Sequence, residues 1–360
     1  MRTFRRRYKG HMLRRHIWWL APLAGAAVAG VIVAAVSLGG GSSPKNAPKT
    51  SHAGLKPAAA ALAVQHAITA VVHELSPSVV QIQSPQGLGS GIVFDSNGDI
   101  VTNNHVVGSG NGPFTVTAGA HSYAGSVVGR FAPDDLAVIR VSVSDAHLTP
   151  AAFADSSKLE VGDVAIAIGN PLGLRSSVTD GIVSAFRQGV SEGNGVALPS
   201  MIQTSAAINP GNSGGALADL EGRVIGIPTL AATDPELGGA TAPGIGFAIP
   251  SNLVRDIAIQ IVRFGHVTNS HRAYLGIEIG DTNRLGVYVQ SVTAGGPAAK
   301  AGLAAGDVIR SVNGHQTLTV DDLTSVVSEQ KPGTTVALGI ETQHGAHKTV
   351  HLTLGTFPGS

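Results

Sequence analysis

Three side chains of this 360-residue chain could together cleave an acyl bond. They are Ser213 within Pro210-Gly211-Asn212-Ser213-Gly214-Gly215, His105 within Thr102-Asn103-Asn104-His105-Val106-Val107, and Asp135 at the head of Asp135-Leu136-Ala137-Val138-Ile139. A serine hydroxyl is a weak nucleophile at neutral pH, so it needs an imidazole to take its proton and later return it to the leaving amine. His105 is the candidate. That imidazole needs one tautomer enforced and its cation stabilised, which a buried carboxylate achieves by accepting from the other ring nitrogen. Asp135 fits because it abuts the apolar run 136–139, while Asp134, after Pro133 in a turn, is its competitor. A serine between glycines also sits beside bare backbone amides, and the spacing assigns the two oxyanion donors to the N–H groups of Gly211 and Ser213. Alone, such a turn is ordinary in a chain with 47 glycines. The histidine and aspartate segments upstream give it a catalytic reading.

The elements that must hold these groups read as β structure. From Val79 onward, short β-branched runs at 79–82, 91–94, 100–102, 115–118 and 164–168 are separated by Gly, Asn, Asp and Pro, the punctuation of an all-β barrel protein. Two helices frame them. Residues 61–75 carry Leu62, Ile68, Val71, Val72 and Leu75 and stop at Ser76-Pro77, and residues 251–264 form the second.

The order His, Asp, Ser is that of chymotrypsin-like proteases. Gly89-Ser90-Gly91, residues 102–107 and 135–139, Gly169-Asn170-Pro171, and residues 176–184, 205–217 and 244–250 resemble the successive signatures of the HtrA (DegP/DegS-like) family, trypsin-like serine proteases with C-terminal PDZ domains. The likeness runs from about Val64 to the end of the chain. It implies a mainly β fold: a chymotrypsin-like double six-stranded β-barrel protease domain over 61–265, followed by one PDZ domain over 272–357. His105 and Asp135 would come from the first barrel and Ser213 from the second. It further implies an ATP-independent endopeptidase acting on misfolded or regulatory proteins outside the cytoplasm, usually a homotrimer, with no cofactor. The competing reading is a catalytically silent peptide-binding or chaperone module. The chain departs from the family at Ser205, where Asp is usual, and at Pro228, where a strand residue follows Gly-Ile. The proline removes a backbone donor, so strand pairing there should be less regular.

Tyr274-Leu275-Gly276-Ile277 resembles a PDZ carboxylate-binding loop, and residues 296–303, Gly306-Asp307-Val308-Ile309 and Val312-Asn313-Gly314 resemble that domain's regular stretches. A C-terminal peptide would add as a strand beside Leu275, Gly276 and Ile277 and send its last apolar side chain against Leu323 and Val327 on a helix near 321–328, unless those two only pack the core. In chymotrypsin-like proteases the residue six before the nucleophile lies near the base of the primary pocket, which here is Ala207. With Ile208, Ile227 and Ile245 in segments that could line it or could equally be ordinary core, the pocket is apolar and favours small or medium aliphatic residues. Asp234 or Glu236 would reverse that preference if the 233–243 loop reached the pocket.

Seven basic side chains and no acid fall in residues 1–15, leaving 17 Lys and Arg against 23 Asp and Glu in the rest, which argues against a nucleic-acid partner for the folded part. Residues 17–38 carry no charge and are long enough for a transmembrane helix, with the basic segment 1–16 cytoplasmic and Trp18-Trp19 at the interface. A cleaved secretory signal is the rival. Residues 39–60, rich in Gly, Ser, Pro and Lys, read as a flexible tether that leaves both domains extracytoplasmic. The chain has no cysteine, which excludes disulfides, thiol nucleophiles and thiolate metal sites. His266, His271, His315, His344, His347 and His351 lack metal-ligand spacing, so no metal is expected.

Overall fold

The structure, a computed structural model, describes residues 59–85, 87–110, 112–142, 148–170, 177–191, 197–209, 211–234, 240–281 and 286–359. The expected cytoplasmic segment, membrane helix and all but the end of the tether lie outside the described residues. So do Pro210 and Glu236. Among the described residues no helix is long and apolar enough to cross a membrane.

Strands β1 (Val79–Ser84), β2 (Gly87–Val93), β3 (Asp99–Asn103), β4 (Phe114–Ala118), β5 (His121–Phe131) and β6 (Leu136–Val141) close into a barrel in the order β1-β2-β3-β6-β5-β4. Alternation sends Val80, Ile82, Ile100, Val116 and Ile139 into its core. The second barrel is built from β7 (Val164–Gly169), β8 (Ser177–Arg187), β11 (Met201–Thr204), β12 (Ala216–Ala218), β13 (Val224–Asp234) and β14 (Ala240–Pro250). Its order is β11-β14-β13-β12-β7-β8, and the short hairpin β9 (Val190–Ser191) with β10 (Ala197–Leu198) stands apart from it. The expected strand runs fall in β1, β2, β3, β4 and β7, except that Phe94 lies just past β2.

A further core joins the barrels, with Ile92, Val101 and Val138 of the first packed in one cluster with Ile166, Ile168 and Ile249 of the second. Two helices close it. Ala59–Leu75, which begins two residues earlier than expected, contributes Val71 and Leu75, and Ser251–Phe264 contributes Val254, Ile257, Ala258 and Ile261 at helical spacing. Each aliphatic side chain buried this completely stabilises the seam by roughly 1.5–3 kcal/mol. Gly265, at φ 77°, ends the second helix by donating to the Ile261 carbonyl at 2.8 Å. The catalytic candidates lie along this fixed seam.

The second domain is a sheet in the order β16 (Ile277–Asp281), β17 (Val287–Val292), β18 (Val308–Val312), β20 (Thr335–Glu341), β21 (His347–Thr353), with β19 (His315–Gln316) beside β18. A two-stranded pair, β15 (Ala273–Tyr274) with β22 (Gly355–Thr356), ties the start of the domain to its end. The helix Val320–Ser328 opens on a capping box between Thr319 and Asp322 and buries Leu323 and Val327. Strand β16 is at the sheet edge, so one side of its backbone ladder is available to an added strand.

Candidate active site

His105 sits in a one-turn helix, Asn104–Val107, directly after β3, and Asp135 sits where the chain turns from a 3-10 turn, Ala132–Asp134, into β6. Register pairs Asn103 with Leu136, so the two segments are brought together by the β3–β6 ladder. Asp135 is left-handed at φ 51° and ψ 42°, a conformation that costs a non-glycine residue about 1–3 kcal/mol unless its surroundings impose it. They do so here. Its N–H donates to the Ala132 carbonyl, and its own carbonyl accepts from the Asn104 N–H, each at 3.0 Å. Asn103 Nδ2 adds a second bond to that carbonyl, also at 3.0 Å.

The Asp135 carboxylate is 4 % exposed and is wired to His105 twice: Oδ1 accepts from the backbone N–H at 2.9 Å and Oδ2 faces Nδ1 at 2.8 Å. Because an ionised carboxylate only accepts, Nδ1 carries the proton, and the neutral ring keeps Nε2 as its base. The imidazole is half exposed, as a group that must meet substrate has to be. Thr229 Oγ1, on β13 of the second barrel, donates a hydrogen bond to the same Oδ2. Asp134, the competitor after Pro133, does lie in a 3-10 turn and is as buried as Asp135. Its partner is Arg272, not the imidazole.

Ser213 lies on the turn before β12 and is partly exposed. The turn is held by Asn212 N–H to the Asn209 carbonyl at 3.0 Å, with Gly211 at φ 101°. The N–H groups of Gly214 and Gly215 donate to Pro228 and Asn212 carbonyls, whereas among the described residues the N–H groups of Gly211 and Ser213 meet no acceptor. These are the two amides assigned to the oxyanion. Gly214 must be glycine, because its φ is 79° and a Cβ there would lie 2.1 Å from the Ser90 carbonyl. The Ser213 hydroxyl rests on the Thr229 carbonyl at 3.1 Å. Thr229 reaches both Ser213 and Asp135 because the β13–β14 register shifts between Pro228 and Leu230. The irregularity anticipated from Pro228 is present at that place.

Ser90, fully buried in β2, locks the first barrel onto this turn. Its N–H donates to the Ser213 carbonyl at 3.0 Å and its hydroxyl donates to the Gly211 carbonyl at 2.6 Å, while the same oxygen accepts from the Asn170 N–H at 2.7 Å. Thr229 and Ser90 were not singled out individually from the sequence. Pro228 marks the neighbourhood of one, and the Gly-Ser-Gly segment contains the other.

Of the proposed pocket residues, Ala207 and Ile245 are exposed, whereas Ile208 and Ile227 are buried in apolar clusters. Leu275, Gly276, Ile277, Leu323 and Val327 all line one groove of about 330 Å³, between the β16 edge and the helix Val320–Ser328. Leu323 and Val327 therefore serve core and groove together. The six histidines named above are exposed, and among the described residues no group of three His, Asp or Glu could hold a metal ion.

Residues 89–227 match the trypsin-like peptidase domain and residues 273–354 the PDZ domain. The chain is 39 % identical over 285 residues to the periplasmic pH-dependent serine endoprotease DegQ of Escherichia coli K12, a match covering 76 % of this chain and 61 % of that protein. It is 38 % identical over 309 residues to the serine protease PepD of Mycobacterium tuberculosis, covering 79 % and 65 %. The chain thus spans less than two thirds of the length of these relatives. Among solved structures, the serine endoprotease from Yersinia pestis matches with a TM-score of 0.53 at 32 % identity, covering 81 % of this chain and 98 % of that one. The HtrA-type protease AlgW with a decapeptide matches at 0.54 and 27 %, covering 81 % and 99 %.

Proposed function

We propose that this chain, which belongs to the HtrA family of trypsin-like serine proteases carrying a PDZ domain, is an extracytoplasmic, ATP-independent endopeptidase cleaving misfolded or regulatory proteins. The observation that carries the reading is the Asp135 carboxylate, buried and bonded at once to His105 Nδ1, His105 N–H and Thr229, beside a serine whose turn leaves two amides without an acceptor among the described residues. A scaffold has no need of that arrangement. In the reaction, the Ser213 hydroxyl turns from the Thr229 carbonyl, gives its proton to His105 Nε2 and bonds to the scissile carbonyl carbon. The oxyanion accepts from the Gly211 and Ser213 N–H groups. Collapse breaks the C–N bond, the amine leaves with the proton held on His105, and water activated by the same imidazole hydrolyses the acyl-enzyme.

The PDZ groove would take the free C-terminus of a peptide by strand addition at β16, with the apolar terminal side chain among Leu275, Leu323 and Val327. Residues 17–38 would anchor the enzyme in the membrane, and the family resemblance favours a homotrimer. Fluorophosphonate labelling tests the reading: Ser213 should be modified in the intact protein, and Ser213→Ala should abolish both labelling and casein cleavage with the fold retained. A protein that binds C-terminal peptides but never labels would instead be the silent module.

A further inference from the structure

Asp134 is buried beside the catalytic candidate Asp135, and its carboxylate accepts from Arg272 Nη1, which donates to the Pro133 carbonyl as well. Nη2 of the same guanidinium donates to the Ala197 carbonyl at 2.7 Å. Arg272 lies just before β15, where the chain passes from the protease domain into the PDZ domain. A second contact follows the same seam. Phe357, beyond β22, meets Phe131 edge-on at 6.2 Å and Tyr274 at 5.4 Å, and its N–H donates to the Arg272 carbonyl at 2.8 Å. Both contacts end on the segment 131–134, whose next residue is Asp135. Ala132, Pro133 and Ala197 also wall the peptide groove on its protease side.

We propose that Arg272 is a positioning residue for Asp135, acting through its clasp on Pro133 and Asp134. The proposal rests on reading Ser213, His105 and Asp135 as that triad. Asp135 holds a left-handed backbone that must be imposed from outside, and the imposing bonds come from two sides. Asn103 and Asn104 hold its carbonyl from the β3 side. Arg272 holds the residues before it. A buried carboxylate deprived of its cation must take up a proton or turn towards water. If Asp134 turned, it would carry Asp135 with it across one peptide bond. The other charged groups near this clasp are Asp256, which acts on Asp134 through space, and His271, whose Nε2 stands 3.6 Å from Asp256 Oδ2. Neither donates to Asp134, so the guanidinium is the ion-pairing partner of that carboxylate among the described residues.

The test compares Arg272→Met, Asp134→Asn, the double variant and Arg272→Lys in the intact protein, by rate of fluorophosphonate labelling, by thermal melting and by NMR titration of His105. Arg272→Met should label about tenfold or more slowly, and the His105 midpoint should fall by about one pH unit as its carboxylate loses alignment. Adding Asp134→Asn should restore part of both, because no charge is then left to bury. Arg272→Lys should fall between, since a point charge cannot bridge three acceptors as the planar fork does. A folded Arg272→Met protein with an unchanged labelling rate and an unchanged His105 midpoint would overturn the proposal, and so would a loss confined to melting temperature. If the wild type fails to label, the protease reading falls, and the His105 titration alone still decides whether Arg272 positions Asp135.

Discussion

Asp134 and Asp135 are consecutive and both buried, yet Asp134 turns its carboxylate to Arg272 at the start of the PDZ domain and Asp135 turns its own to His105. The left-handed backbone at Asp135 accompanies that divergence. One carboxylate is held by directed donors that fix an imidazole, and the other is balanced by a cation that arrives from the next domain. Chemistry and interdomain contact are thus one peptide bond apart.

Thr229 should matter to turnover although it carries no proton in the reaction. Its hydroxyl donates to Asp135 Oδ2, and Thr229→Val keeps the shape while leaving that buried acceptor one donor short, which costs about 1–3 kcal/mol. If part of that loss appears in the transition state, kcat falls about tenfold with KM little changed. Thr229→Ser should restore most of it. Equal kcat in the Val and Ser variants, measured on one casein-derived peptide, would remove Thr229 from the mechanism.

Ser90 should act on the oxyanion amides. Ser90→Ala takes the donor from the Gly211 carbonyl and the acceptor from the Asn170 N–H, so the Gly211–Asn212 peptide, which lies between the two oxyanion amides, loses one of its restraints. Loss of one oxyanion donor typically costs about 100- to 1,000-fold in kcat, so a loosened donor should cost roughly tenfold or more. Affinity for a peptide boronic acid, which mimics the tetrahedral adduct, should fall in parallel with kcat. A drop in kcat with boronate affinity intact would point elsewhere.

Burial raises the Asp134 carboxyl above its ordinary pKa, against the pull of the Arg272 charge. The folded chain therefore keeps a proton that the unfolded chain loses as pH rises above the ordinary value of 3.8. Over that window the unfolded state binds fewer protons, so stability falls with rising pH on account of this group. Asp134→Asn removes the slope while Arg272 retains the Pro133 and Ala197 carbonyls. Urea melts from about pH 4 to about pH 7 should show the variant gaining on the wild type as pH rises. Parallel curves would show that Asp134 does not titrate in this window.

The three reacting groups were legible because each sits in a local pattern: a serine among glycines, a histidine after a strand, an aspartate before one. Their supports were not, because those depend on distant register. Ser90 meets Gly211 across 121 positions of sequence and Thr229 meets Asp135 across 94, contacts that exist only once two barrels have closed and packed. Asp134 reads as a turn residue because Pro133 precedes it, and it does lie in a turn, but nothing local announces a guanidinium 138 residues away. Ile208 and Ile227 show the same limit, since an apolar residue in a pocket-forming segment reads alike whether it faces the pocket or the core.

That burial sharpens the expectation for specificity. With Ile208 at 6 % and Ile227 at 0 % exposure, the accessible candidates for the pocket reduce to Ala207 and Ile245. Ala207 is fixed through its carbonyl, which accepts from Thr179 Oγ1 at 2.8 Å and from Asn212 Nδ2 at 3.3 Å, so its position is tied to the residue preceding the nucleophile. A methyl at that point offers a Lys or Arg side chain no counter-charge, and an unpaired buried cation costs several kcal/mol, on the order of a thousandfold in kcat/KM. Cleavage after Val, Ala, Leu or Ile is therefore expected when products from an unfolded protein are sequenced by mass spectrometry. Ala207→Asp provides the decisive contrast, since a carboxylate at the base of the pocket should admit Lys and Arg while weakening the aliphatic sites. Cuts mainly after Lys or Arg in the wild type, or an Ala207→Asp variant with an unchanged cleavage pattern, would show that Ala207 does not form the pocket floor.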